Sequence, residues 1–374
     1  HHDFTTLTNS KLQKSFVQHF LINLTFIPIY CTSINYHICF TSIFYIHYTH
    51  FLHSSIHRIQ LQPLKMEGFQ ISYERIQRMA KFVEVIMGCK PRIGIICGAG
   101  MLPIFDIVES RNEIKYSQIP GFPAADVGPQ GNAFVYGNIA CIPVIIQTDR
   151  FMFYEGYTLD VITLSVKLFY LLGATELIVL TSAFSINPSY KPGDVMIMKD
   201  QLNMVGLCGS NPLRGPNDER FGDRCPSMID CFERAVYKHA RRSAEELGWG
   251  CKIHTGVYAS ISGPTTTTAA EANMLRMFGV DAVGMTSVHE VIAGRHCDMA
   301  VCGLALVTAM ARLDYGRYRE PTAGGMAAVV AENVAPLQDL LVKIVQFMGV
   351  KRVCKCINKG DLEGRKSRKS TIRS

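Results

Sequence analysis

Residues 1–65 of this 374-residue chain contain no Met, Gly, Ala or Glu. Eight of the twelve His fall in the same stretch, and the first Met is Met66. Directly after it the composition becomes that of an ordinary soluble protein. The break predicts that 1–65 is a non-native or untranslated leader, disordered and outside the folded body. The apolar part of it, Phe20 to Leu52, is interrupted by Asn23, Pro28, Thr32, Ser33, Asn35 and His37. No uninterrupted window of about 20 residues is left for a membrane span. The segment also lacks the charged start, short apolar core and small-residue cleavage site of a signal peptide. The expectation is a protein with no membrane partner, in the reducing cytoplasm.

Beyond Met66 the chain has no CxxC pair, and its Cys are scattered, several of them inside apolar runs. Free Cys there behaves as a small hydrophobe. Only His239, His254, His289 and His296 remain, so no zinc site is expected. Cys354 and Cys356 stand too close together for an ordinary one. No basic patch marks the body either. The formal charge of +7 sits at the ends, since 351–374 holds nine Lys/Arg against two acids and 1–65 holds four against one. Residues 66–350 are left at −3, which argues against a nucleic-acid face. The basic stretch Gly364 to Ser370 reads as a disordered, solvated tail within 351–374.

What is present is an alternation of strand and helix signals, which specifies an α/β fold. Strands are expected at Ile93–Cys97, Phe134–Tyr136, Ala140–Gln147, Leu177–Thr181, Asp194–Met198, Val257–Ile261, Asp281–Met285 and Met299–Thr308. Helical spacing appears near Leu159–Leu172, over Pro226–Leu247 and Ala269–Phe278, and in a closing helix Met326–Met348. No linker divides 66–350, so it is read as one domain.

One segment is far more specific than these patterns. Asn211-Pro212-Leu213-Arg214-Gly215-Pro216-Asn217-Asp218-Glu219-Arg220-Phe221-Gly222-Asp223-Arg224 resembles a signature loop of the trimeric purine nucleoside phosphorylases. The likeness runs from about Tyr73 to Met348. It includes Arg92–Gly100, Tyr154-Glu155-Gly156-Tyr157, Gly193-Asp194 and Asp281–Val291. The resemblance implies a mixed, partly barrel-like central sheet flanked by helices, and a homotrimer. It also implies phosphate-dependent cleavage of purine nucleosides to base and ribose 1-phosphate. Inorganic phosphate is then a co-substrate, with no other cofactor.

Such chemistry needs charge-assisted donors for a phosphate dianion and preorganised donors for the departing base. Carried over residue by residue, the resemblance implies phosphate contacts at Arg150, Thr286 and Ser182. It also shows three losses there: Ala99 replaces a Ser, Gln130 a His and Met152 a His. After Ser182, Phe184 stands where relatives have Gly. At the base, Thr266 replaces an aromatic, Thr267 a carboxylate and Ala309 an Asn. At the ribose Tyr154 and Met285 persist, a His becomes Ala323, and an aromatic lent by a neighbouring subunit becomes Cys225. Cys225 itself is read as inert, since no base stands near it in sequence.

Losses across all three subsites beside an intact signature loop imply a pseudoenzyme on a trimeric scaffold, alone or mixed with an active relative's subunits. Two alternatives stay open. One is an active phosphorylase of altered specificity that uses the hydroxyls of Thr265–Thr268. The other is a small-ligand carrier or sensor that uses the old cleft for a purine nucleoside or another small molecule.

Overall fold

The computed structural model describes residues 71–98, 100–123, 132–316, 318 and 320–355. The expected leader, Ala99, Gln130 and the tail from residue 356 lie outside the described residues. Helix α1 (Tyr73–Met87) starts at Ser72, whose hydroxyl accepts from the Arg75 amide, and stops at Gly88 in the left-handed conformation. Strand β1 (Ile93–Ile96) is buried at all four positions, as suits an interior strand with parallel neighbours. Next come β2 (Glu109–Lys115), β3 (Ala133–Ile139) and β4 (Ile142–Gln147). Ala140 and Cys141 form the tight turn between β3 and β4, at φ of 49° and 64°. The continuous strand expected from Ala140 therefore starts two residues later.

The helix expected over Leu159–Leu172 is broken. A single turn, Leu159–Ile162, is followed by α2 (Leu164–Leu172), with Thr163 at the junction bonded back to the Leu159 carbonyl. Strands β5 (Glu176–Ser185) and β6 (Val195–Asn203) follow. Helix α3 spans only Arg234–Glu246. The helical spacing read from Pro226 is misleading, because buried Cys231 and Phe232 anchor a loop rather than a helix face. The chain continues as β7 (Ile253–Ser260), α4 (Ala269–Met277), β8 (Ala282–Gly284), α5 (Val288–His296), β9 (Ala300–Met310) and α6 (Ala323–Lys355).

The nine strands form one mixed sheet in the order β2-β3-β4-β1-β5-β8-β7-β6-β9. Strand β9 also pairs in parallel with β5, so β5, β8, β7, β6 and β9 close into a ring. The partly barrel-like sheet expected from the resemblance is present. Apolar residues of α1, α2 and α5 pack in one core cluster and those of α3 and α6 in another. Successive residues of β1 and β5 alternate between the two clusters, so helices cover both faces of the sheet. Among the described residues no helix is long and apolar enough to cross a membrane.

The signature loop is fastened to α1. Arg220 grips Asp218 through two bonds of 2.8 and 2.6 Å, pairs with Glu74 at 2.8 Å and lies 3.8 Å over the Tyr73 ring. Phe221 is buried against the same Tyr73 ring, 5.0 Å away. Gly222 runs so close to α5 that a Cβ there would strike the His296 carbonyl oxygen. The loop's unusual sequence thus has a packing role within the chain.

Candidate active site

The site starts from Arg150, at the end of the segment that follows β4. A guanidinium carries five N–H donors, and here all three nitrogens lie against groups inside the protein, Nη1 and Nη2 through hydrogen bonds and Nε through an ion pair. Nη1 donates to the Leu180 carbonyl at 2.9 Å and lies 3.5 Å from the Thr286 hydroxyl. Nη2 reaches the Ser287 hydroxyl at 3.3 Å and the Ile96 carbonyl at 3.5 Å. Nε pairs with Glu290 at 2.9 Å, both side chains being 2% exposed. The fold therefore brings β1, β5 and the start of α5 together around one cation. The Gly-rich turn joins them, since a Cβ on Gly98 would sit 3.4 Å from Arg150 Nη1.

Thr286 bonds the Thr181 hydroxyl at 2.9 Å, which places it in the same cluster. The next residue, Ser287, holds φ 77° and ψ −42°, with the Val288 amide bonded to the Thr286 carbonyl. That is a strained γ-turn, a conformation that persists only where the surroundings enforce it. It aims the Ser287 hydroxyl at Arg150. The fold brings Arg150 and Thr286 together; Ser182 is half-buried on β5 next to Thr181 in the chain, and successive strand residues point to opposite faces. Met152 is half-buried, and its amide donates to Glu155 Oε2 at 2.9 Å.

Tyr154 and Met285 also meet. A Cβ on Gly263, which has φ 69°, would lie 2.5 Å from Met285 Sδ and 2.9 Å from Tyr154 Cδ1. Tyr154 is 40% exposed, so it is not a core aromatic. Ala323, the position of the lost His, is exposed at the start of α6. Cys225 is an exposed free thiol.

Sequence reasoning missed Asp149. Its carboxylate accepts from the Arg150 amide at 2.9 Å. Burial holds its acidity weaker than usual, against the lowering effect of that bond and of the Arg150 charge. Burial also raises Glu155 and Tyr154, and Asp149 adds to both shifts. A carboxylate beside Arg150 would disfavour a bound dianion there. The signal was legible, an acid directly before Arg150, but nothing in the sequence fixes where its side chain lies. Its effect on stability has a definite sign. With its folded value above its unfolded value, Asp149 is bound to its proton more tightly in the folded state, so it costs stability as pH rises through the folded value. Asp149→Asn keeps the acceptor oxygen and removes the charge. Urea unfolding is expected to show the variant more stable than the parent at pH 7. The gain should shrink as pH falls toward the unfolded Asp value of about 3.9; a gain that grows toward acid pH contradicts this assignment.

Thr266 and Thr267, but not Ala309, line a cleft of about 860 Å³. Its walls include Phe184, Thr266, Thr267, Arg312, Tyr315 and Tyr318. Thr268 is occupied in capping α4: its hydroxyl accepts from the Glu271 amide, and Glu271 Oε2 accepts from the Thr268 amide and hydroxyl at 2.7 and 2.9 Å. These bonds hold the Glu271 carboxyl below its ordinary range. Arg312 spends Nε and Nη2 on the carbonyls of Asp314 and Gly316. Ala309 is buried, 5% exposed, and paired across the ring with Phe184.

None of the four His lines this cleft. His254 bonds Asp194 at 2.8 Å, His239 stacks on Phe347, and burial lowers the basicity of His289 and His296. Among the described residues no group of three or more His, Cys, Asp or Glu is placed to hold a metal.

Comparison with known proteins matches residues 92–345 to the family model described as the phosphorylase superfamily. A purine nucleoside phosphorylase of Anopheles gambiae is 35% identical over 284 residues, covering 76% of this chain and 80% of that protein. One of Rattus norvegicus is 38% identical over 246 residues, covering 66% and 85%. The crystal structure of the Schistosoma mansoni purine nucleoside phosphorylase in complex with inosine superposes with a TM-score of 0.71 at 35% identity, over 75% of this chain and 98% of that one.

Proposed function

Since the chain belongs to the nucleoside phosphorylase family of the phosphorylase superfamily, we propose that it is a purine nucleoside phosphorylase homologue that has lost, or nearly lost, phosphorolysis and keeps the scaffold and a ligand cleft. One observation carries this reading. Ala309, at the position from which a departing base would be held, is a buried methyl paired with Phe184, and Phe184 itself lines the cleft. Loss of a single donor of this oxyanion-hole type costs about 10²–10³ in rate. Thr267, on the same cleft, offers a hydroxyl where the resemblance implies a carboxylate.

The phosphate side is weakened as well. Arg150 and Thr286 remain, the Met152 side chain has no donor to offer, and Asp149 adds a negative charge. At about 1.5–3 kcal/mol for each hydrogen bond to a charged group, two lost donors weaken phosphate binding by several decades. In this reading inorganic phosphate is the co-substrate of whatever catalysis remains, and no other cofactor takes part. The protein assembles as a homotrimer, or mixes with an active relative's subunits, in the cytoplasm. Light scattering checks the assembly directly: a monomer contradicts it. The activity reading is tested by phosphate-dependent release of base from inosine and guanosine at high enzyme concentration. Sustained turnover that requires phosphate contradicts it.

The size of the cleft favours the binding alternative over a purely structural subunit. Its volume falls within the range of small-molecule sites, about 300–1,000 Å³. It also combines aromatic rings with a few polar side chains, as such sites do.

A further inference from the structure

We propose that a second cleft, between the signature loop and the start of α1, is a binding site for a small phosphate-type oxyanion held by Lys167, Arg214 and His296. It encloses about 270 Å³, near the lower end of small-molecule sites at about 300 Å³, and shares no lining residue with the cleft at Thr266 and Thr267. The proposal stands whether or not phosphorolysis survives. Two separate observations carry it.

The first is a buried polar ring without partners. His296 ends α5 beneath the loop and lines the cleft. It is 5% exposed, yet neither ring nitrogen has a hydrogen-bond partner. Buried polar atoms are almost always bonded, because a lost partner leaves the full cost of desolvation. The backbone of Gly222 and Asp223 lies close and favours a proton on the ring, without completing a hydrogen bond. Burial, and then the positive charges of Lys167 and Arg224, hold the ring's basicity below its ordinary range. Surroundings that repel a further positive charge attract a negative one.

The second is the account of charges on the walls. The three carboxylates that line the cleft already face cations. Glu74 and Asp218 are both held by Arg220, and Asp160 by Lys167 at 3.4 Å. Lys167 spends one donor on Asp160 and lies 5.7 Å over the Phe221 ring, so its ammonium keeps N–H groups to offer. Arg214 is exposed, and among the described residues its side chain has no hydrogen bond or ion pair. The charged groups left to meet a ligand are therefore donors. Helix α1 also begins at this cleft, and a helix start favours negative charge. A phosphate group, with oxygens on every side, can accept from several such donors at once.

The test is NMR of the full chain carrying labelled histidine, with the His296 signal assigned by its loss in His296→Gln. The ring is titrated with and without inorganic phosphate, at an ionic strength held constant with chloride. Phosphate is expected to raise the His296 midpoint saturably by at least about 0.5 pH unit, because an adjacent anion favours the protonated ring. Arg214→Gln, at an exposed position where loss of fold is not expected, should weaken the phosphate response at least about threefold. Glycerol phosphate, titrated in the same way, separates the sources of the anion. Tighter binding of the ester assigns the site to the head of a small molecule, and equal binding assigns it to the free ion. A His296 midpoint indifferent to both compounds would overturn the proposal. So would a phosphate response of unchanged strength in folded Arg214→Gln.

Discussion

Arg150→Met is expected to lower the free energy of unfolding by about 3–5 kcal/mol, because it leaves Glu290 as an uncompensated buried charge. Both side chains are 2% exposed, and Nε lies 2.9 Å from Glu290 Oε1. The same substitution strands the Leu180 carbonyl and the Ser287 hydroxyl, and removes the cation that holds the strained turn at Ser287. Glu290→Gln added to Arg150→Met should recover part of the loss. The double-mutant cycle then isolates the pair's coupling from the cost of an orphaned carboxylate. Urea unfolding of the four proteins measures both quantities. A loss below about 1 kcal/mol for Arg150→Met would place the pair among exposed ion pairs and contradict its assignment as a core contact. The consequence for function is direct. A phosphate at Arg150 must compete with five internal partners, so retention of this residue does not by itself preserve an anion site.

The second large effect is a gain of rate. Thr267→Glu with Ala309→Asn restores the two polar groups that the resemblance implies at the base. The amide introduced by Ala309→Asn would be buried opposite Phe184. The two substitutions alone would therefore crowd a side chain against the ring and leave that amide without room for its partners. Phe184→Gly makes that room. The triple variant is expected to raise phosphate-dependent base release from inosine by about 10²–10³ over the parent's background. The double variant should gain much less. The assay is base release at saturating inosine and high phosphate, with circular dichroism to show that each variant is folded. A folded triple variant without any gain would mean that positions 267 and 309 no longer face a common substrate.

The parts of this protein legible in its sequence are those where a local pattern and its structural cause coincide. Ile93–Cys97 was readable because an interior parallel strand is apolar on both faces, and the signature loop because its sequence is so unusual. Strand β2 was missed: it is a polar edge strand with one buried residue, Ile114, so it shows no alternation. Helix α5 was missed for the opposite reason. From Val288 to His296 all positions but Arg295 are buried, and a helix covered on nearly all sides has no polar face to set a period. In the site, the candidate residues were found by position, while their partners were not. Glu290 lies far from Arg150 in sequence and pairs with it only through the fold. Phe184 was visible as a large residue in a small residue's place, but that it lines a cleft together with Thr266 and Thr267 follows only from the fold.

The central claim is that the nucleoside phosphorylase scaffold persists here without effective phosphorolysis. It is tested most directly by incubating the full chain with inosine or guanosine at stoichiometric enzyme, with and without inorganic phosphate, and following free base and ribose 1-phosphate over many hours. The account predicts base release indistinguishable with and without phosphate, and no ribose 1-phosphate. Base release that requires phosphate and is matched by ribose 1-phosphate, at rates of about 1 s⁻¹ or more as ordinary enzymes reach, would contradict it.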